Sequence, residues 1–209
     1  MSIRKKILAI SIGPVLVLGV ITLLFMLTMV KSSLMDEVQD ALKGTAAATL
    51  AAYDQNTGDY LESTNGDIWK GSYNISKSES LVDRIKENTG MDVTFFYGNK
   101  RIMTSALDKK GNRILGSEAG ERVVNQVIKG KKPFFSTNVS LDGTRNYGYF
   151  IPVYQNGTTD QVIGMVFVGT NKARKDAIVN KILGSIMMAL LVAVSYTHLR
   201  AHETAANLV

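Results

Sequence analysis

The only two histidines of the chain, His198 and His202, stand four residues apart near its end. On a helix that spacing puts two imidazoles on one face, where they can hold a metal. No Glu stands between them in the zincin arrangement, and a tail without function is the reading we prefer, so no metal site is expected. The chain has no cysteine, which excludes a disulfide scaffold, a thiolate zinc site and a cysteine nucleophile. It shows no phosphate-binding loop, nucleophile elbow or paired carboxylates in a suitable context, so we expect neither catalytic residues nor a cofactor. What remains is the chemistry of recognition. Tyr147 and Tyr149 alternate along a strand-forming segment, so they share a face and can wall a pocket with two hydroxyls; ordinary sheet packing is the other reading. Trp69, in the polar run Asn65-Gly-Asp-Ile-Trp-Lys-Gly71, can cap a pocket or pack on a helix.

These groups hang on a chain whose two ends point to a membrane. Ile7 to Val30 carries no charge, and at about 1.5 Å per residue a helix of that length spans the hydrocarbon core with some tilt. Arg4, Lys5 and Lys6 precede it, while Asp36, Glu37 and Asp40 follow Lys31. The positive-inside bias then places 1–6 in the cytoplasm, 7–30 in the membrane and the following residues outside. A cleaved signal peptide would need a shorter apolar run and a better cleavage site than Val30-Lys-Ser-Ser-Leu34. A second apolar run, Ile182 to Val194, is short for a span but similar in composition to the first. We expect 176–194 to be the start of a second membrane helix. Ser195-Tyr-Thr-His-Leu-Arg-Ala-His-Glu-Thr204 resembles a translated sequencing-adapter tail, so 195–209 is expected to be foreign to a protein that continued across the membrane. The net charge of +6 comes from basic residues interspersed with acids, which does not suggest a nucleic-acid partner.

Between the membrane segments, 31–175 has the length of one domain. Lys31 to Tyr53 predicts a helix: Leu34, Val38, Ala41, Thr45, Ala48 and Ala52 recur at steps of four and three. This seam of small residues can pair with a second copy or lie on a sheet. Lys77 to Asn88 predicts a second helix, opened by Ser78 or Ser80 and stopped by Gly90. Strands are predicted for Met91–Tyr97 and Lys100–Ser105, then a helix for Glu118–Ile128 with Gly130 as its cap. Three more strands follow at Pro133–Leu141, Arg145–Tyr154 and Gln161–Thr170, divided by Asp142-Gly143 and Asn156-Gly157. The class is α+β, with a five-stranded, mainly antiparallel sheet and a helix leading out to the membrane.

This order, together with Val93-Thr-Phe-Phe-Tyr-Gly-Asn-Lys-Arg101, Thr104-Ser105, Gly111-Asn-Arg113, Gly116-Ser-Glu118, Tyr147 to Val153 and Gly164-Met-Val-Phe-Val-Gly169, resembles the single Cache domains of bacterial chemoreceptors and sensor kinases. The resemblance covers Lys31 to Lys175. It implies a PAS-like fold with a long N-terminal helix, a small ligand on the sheet, and signalling rather than catalysis. It implies a two-pass protein of the cell membrane, forming a homodimer, with the sensor domain outside. The leading output is that of a methyl-accepting chemotaxis protein. A sensor histidine kinase, a diguanylate cyclase, or a membrane-anchored binding or structural protein without output remain the alternatives.

The resemblance maps the family's basic and hydroxyl ligand positions onto Arg101, Thr104 and Ser105. Arg101 can fork onto a carboxylate, the alternative being a solvated hairpin residue. Arg113 and Ser117 come next, Ser117 at an expected helix start whose free N–H groups favour an anion; a plain N-cap is its alternative. The implied ligand is an organic acid or an amino acid. Carboxylate-sensing relatives often carry a His after the Arg. The body of this chain has none, which argues against citrate-like or C4-dicarboxylate specificity.

Overall fold

The computed structural model describes residues 3–206, with side chains over 17–196; the side chains of His198 and His202 lie outside that range. Two compact units are present: 37–175, and the flanking helical segments before and after it.

In the flanking unit, helix α1 (Ile3–Asp54) and helix α4 (Lys172–Ala206) expose large apolar side chains such as Leu18, Phe25, Met188 and Leu191. Among the described residues these two helices are long and apolar enough to cross a membrane, with mean hydropathies of 2.0 and 2.1 over their most apolar windows. The short apolar run from Ile182 therefore belongs to a longer continuous helix.

In the body, α1 buries Val38, Leu42, Ala46, Thr49 and Tyr53. This stripe is rotated by about one residue from the expected seam, and Ala48 is exposed. Of the two readings of the seam, the sheet takes this side of the helix. The reason lies in what the sheet offers. Tyr53, at the end of the stripe, meets Phe95 edge-on at 5.1 Å. Its hydroxyl donates to Ser78 Oγ at 2.9 Å, since the Ser78 hydroxyl itself donates to Ile75 O. One aromatic residue thus joins α1, the sheet and the start of the next helix.

Between α1 and that helix the chain makes a small antiparallel sheet of β1 (Tyr60–Glu62), β2 (Ile68–Lys70) and β3 (Tyr73–Asn74). Strands this short leave no alternation to read. Trp69 consequently lies in a strand, not a loop, half-buried opposite Leu61 and Asn74. Lys70 is buried, with its Nζ 3.3 Å from Asp54 Oδ1 and 4.1 Å from the Tyr60 ring centre. The Tyr60 ring in turn stacks on Phe95 at 5.8 Å. The Gln155 side chain accepts from Tyr60 N at 2.7 Å and donates to Tyr60 O at 3.0 Å. An amide side chain therefore completes the edge of β1 as a strand would.

Helix α2 (Glu79–Thr89) follows a 3-10 turn, with Ser78 at its N-cap and Gly90 at φ 69° closing it. It is fastened to the main sheet by charge. Arg113 forks onto Asp83, with Nη1 to Oδ1 at 2.9 Å, and also donates to Thr104 O. Lys86 Nζ lies 2.8 Å from Asp92 Oδ1.

The main sheet has β4 (Asp92–Tyr97), β5 (Lys100–Thr104), β6 (Phe134–Leu141), β7 (Thr144–Tyr154) and β8 (Val162–Asn171). They are antiparallel throughout, in the order β5-β4-β8-β7-β6. The β6–β7 turn has Asp142 at φ 46° and Gly143 at φ 76°, the two positive angles that a tight hairpin requires. Pro152, which cannot donate to a ladder, stands in β7 beyond the residues paired to β6. Helix α3 (Glu121–Val123) widens into a π-helical turn over Val124–Lys129. It begins three residues later than expected because Gly116 to Glu118 run back along β5. Gly116 N donates to Arg101 O and Arg101 N donates to Ser117 O, each at 2.9 Å.

Two tests follow from this packing. Leu42→Ala in the full chain in detergent should lower stability by about 2–5 kcal/mol, whereas Lys43→Ala should change it by under ~0.5 kcal/mol; urea denaturation reads both. The Arg113 fork holds the Asp83 carboxyl below its ordinary pKa of 3.8, against a smaller opposing effect of burial. A depressed folded-state pKa contributes stability above the unfolded value and loses it as pH falls through the folded one. The gap in urea midpoint between the parent chain and Asp83→Asn should therefore be full at pH 6 and close progressively below about pH 4. A gap independent of pH would remove the ion pair from the account.

Candidate functional site

The pleat gives the sheet two faces with different fates. One carries Val93, Phe95, Val166 and Val168 and lies under the end of α1 through Phe95 and Tyr53. The other carries Phe96, Met165, Phe167 and Phe150, which form a buried cluster with Val127 of the π turn, Ala106 and Leu141. On this second face a cavity of about 520 Å³ opens between β6, the start of α3 and the sheet, a size suited to a small organic ligand. Phe96, Phe150 and Phe167 line it, together with Arg101, Glu118 and Arg122. The chain between Ser136 and Ser140 forms the outer edge, at the register shift of β6.

Arg101 is 8% exposed and sits opposite Phe96, its guanidinium 5.4 Å from the ring centre. Nη1 donates to Ile114 O at 3.2 Å, while Nε is buried and meets no acceptor among the described residues. It is not a solvated hairpin residue, because Gly116 to Glu118 cover its strand. Burial lowers its pKa, and the Asp92 charge partly opposes that. Guanidinium remains charged in proteins. A buried cationic N–H without a partner is costly; Arg101 as a residue lines the cavity, and a carboxylate is the kind of acceptor a guanidinium takes.

The other expected positions are placed differently. Thr104 is fully buried; it accepts from Thr94 Oγ1 at 2.7 Å and donates to Val93 O. Ser105 accepts from Val93 N at 2.9 Å and donates to Asp92 Oδ1. Both hydroxyls close the β4–β5 hairpin. The fork of Arg113 is filled by Asp83. Ser117 is exposed and does not start a helix, since Gly120 is the N-cap. Tyr147 and Tyr149 do share a face, but it is the α1 face, because Tyr149 pairs with Val168 and Phe150 with Phe167. Phe135 stacks on Tyr147 at 6.3 Å, and Lys172 Nζ donates to its hydroxyl at 2.9 Å. Of the seven positions, Arg101 is the one that borders the cavity. The aromatic lining was missed: Phe96, Phe150 and Phe167 become neighbours through the β4–β8–β7 pairing. The alternation that sets Phe150 apart from the two tyrosines was the available signal.

Comparison with known proteins agrees with this architecture. The sequence profile of the family described as Single cache domain 3 matches residues 73–182, more than half of the chain. No curated sequence matches it. Among solved structures, the extracellular ligand binding receptor from Desulfohalobium retbaense is similar with a TM-score of 0.50 and 16% identity, over 74% of this chain and 26% of that one. The sensory domain of the Campylobacter jejuni chemoreceptor Tlp3 gives a TM-score of 0.47 and 12% identity, over 74% of this chain and 62% of that one. The E. coli DcuS sensor domain gives 0.41 and 13%, over 73% and 98%. The chain thus spans about a quarter of the first of these structures and about three fifths of the second. At 16% identity the first likeness is one of fold alone. The α+β body, its five-stranded antiparallel sheet under a long N-terminal helix, and the matched profile place this chain in the single Cache domain 3 family, a family of ligand-binding signalling domains.

Proposed function

We propose that this chain is the sensing end of a two-pass bacterial chemoreceptor of the methyl-accepting kind, and that its cavity takes a small organic acid on Arg101. In this reading 7–30 and 176–194 lie in the membrane, 1–6 lie in the cytoplasm, and 31–175 form the extracytoplasmic sensor, which pairs as a homodimer. The observation that carries the ligand claim is that Arg101, a buried guanidinium only partly satisfied by its own chain, lines a cavity of about 520 Å³. The relay claim rests on continuity. Phe167 of β8 lines the cavity, and β8 ends at Asn171, the residue before α4 begins at Lys172. A ligand that prefers one arrangement of β8 would shift the population of α4 arrangements by its differential affinity. The action is binding and relay, not turnover.

Arg101→Ala in the full chain, reconstituted in lipid nanodiscs, should weaken binding of small carboxylates about 10- to 100-fold. This is the loss expected for a charge-assisted hydrogen bond worth ~1.5–3 kcal/mol. Tyr149→Phe should leave binding unchanged. Calorimetric titration with a panel of short mono- and dicarboxylates and amino acids reads both, and undiminished binding in Arg101→Ala would discard the anchor. The orientation is checked separately, because a chain without cysteine accepts a single reporter. Thr64→Cys, at an exposed position, should react with a membrane-impermeant maleimide in intact cells. Reaction only after permeabilisation would reverse the topology.

A further inference from the structure

Gly148 and Gly169 face each other on the adjacent central strands β7 and β8. Glycine weakens a strand interior, and a glycine there often marks a close approach of other atoms. Phe167 makes that approach at both glycines, and Val139 Cγ2 joins it at Gly148, 2.8 Å from where a Cβ would stand. A Cβ added at Gly148 would fall 2.5 Å from Phe167 Cε2, and one added at Gly169 would fall 3.0 Å from Phe167 Cε1 and closer still to Cζ. The Phe167 ring therefore lies flat on bare backbone, in the space two Cβ atoms would fill. Its far side lines the cavity, with the Phe150 ring beside it at 4.8 Å.

We propose that the Gly148–Gly169 pair determines the specificity of the site by setting its depth. With either Cβ present the ring has backbone below and Phe150 beside it, so it would rise into the cavity. The floor so preserved is apolar, made by Phe96, Phe150 and Phe167, while the polar lining is Arg101, Arg122, Glu118 and the β6 edge from Ser136 to Ser140. That division matches an acid with an extended apolar body rather than a compact, all-polar polyacid. The inference rests on the proposed carboxylate site at Arg101 and adds the part of the ligand that Arg101 does not touch.

The test is calorimetric titration of the full chain in nanodiscs with straight-chain monocarboxylates from acetate to decanoate. In the parent chain affinity should rise with length, by about fourfold per buried methylene, and then level off. Gly169→Ala should level off at a shorter acid and bind the longest ones at least about tenfold more weakly, with the shortest acids unaffected. Gly169→Ala combined with Phe167→Leu should recover the long acids, because the smaller side chain returns the room; this also separates lost depth from a damaged fold. The proposal is overturned if Gly169→Ala keeps the parent profile, if it weakens all acids equally, or if the double variant does not recover the long ones. In each of these cases the Arg101 site stands, provided that the parent binding is sensitive to Arg101→Ala. If the parent chain binds none of the acids, the Arg101 reading and this one fall together.

Discussion

Strand β8 is buried on both faces, from Met165 to Val168, and the rest of the body is arranged around that constraint. A strand with two buried faces needs a cover on each. On one side the cover is the end of α1, brought down through Tyr53 on Phe95. On the other it is the π turn after α3, packed on the Phe96–Phe150–Phe167 cluster, with the cavity left where β6 departs from the sheet. Because β8 is also the last strand before α4, the most constrained segment of the body is directly continuous with a membrane-type helix. A strand that lines the cavity with Phe167 and is buried on both faces has little freedom to adjust alone.

The buried charges differ in how far their own chain satisfies them. Lys70 is buried with Asp54 beside it, the Tyr60 face under it and Gly58 O within reach of Nζ. Arg113 forks onto Asp83 and donates to Thr104 O as well. Arg101 is as buried as a structural arginine, but its own chain satisfies it only partly. The contrast between a cation with a complete set of partners and one without is what separates Arg101 from Arg113. Residue type and spacing could not do so, since both stand in the same stretch and both can fork onto a carboxylate.

Much of the fold was legible because its signals are local. The five main strands, the Asp142-Gly143 hairpin, the Gly90 stop and the two apolar helices follow from period, turn chemistry and length, each decided by residues close in the chain. The small sheet of β1 to β3 was not legible, since two- and three-residue strands carry no period. The start of α3 was misplaced because Gly116 to Glu118 gain more by pairing with β5 than by extending a helix. The buried stripe of α1 was read one residue off, because small residues give a weak seam and the choice of face was made by Tyr53 meeting Phe95.

Read alone, the chain carried the class of the domain, its two long apolar flanking segments, the single Cache resemblance and the presence of a guanidinium near the first hairpin. Tertiary structure alone decided which face each side chain serves. It turned Tyr147 and Tyr149 toward α1, enclosed Thr104 and Ser105 in the hairpin, and gave Arg113 to Asp83. It left Arg101, of the expected positions, at an aromatic cavity whose Phe167 ring lies on a pair of glycines. The physical reason is that alternation along one strand sorts side chains into two sets, but only pairing to neighbouring strands, and what packs over them, decides which set meets the ligand and which meets the core.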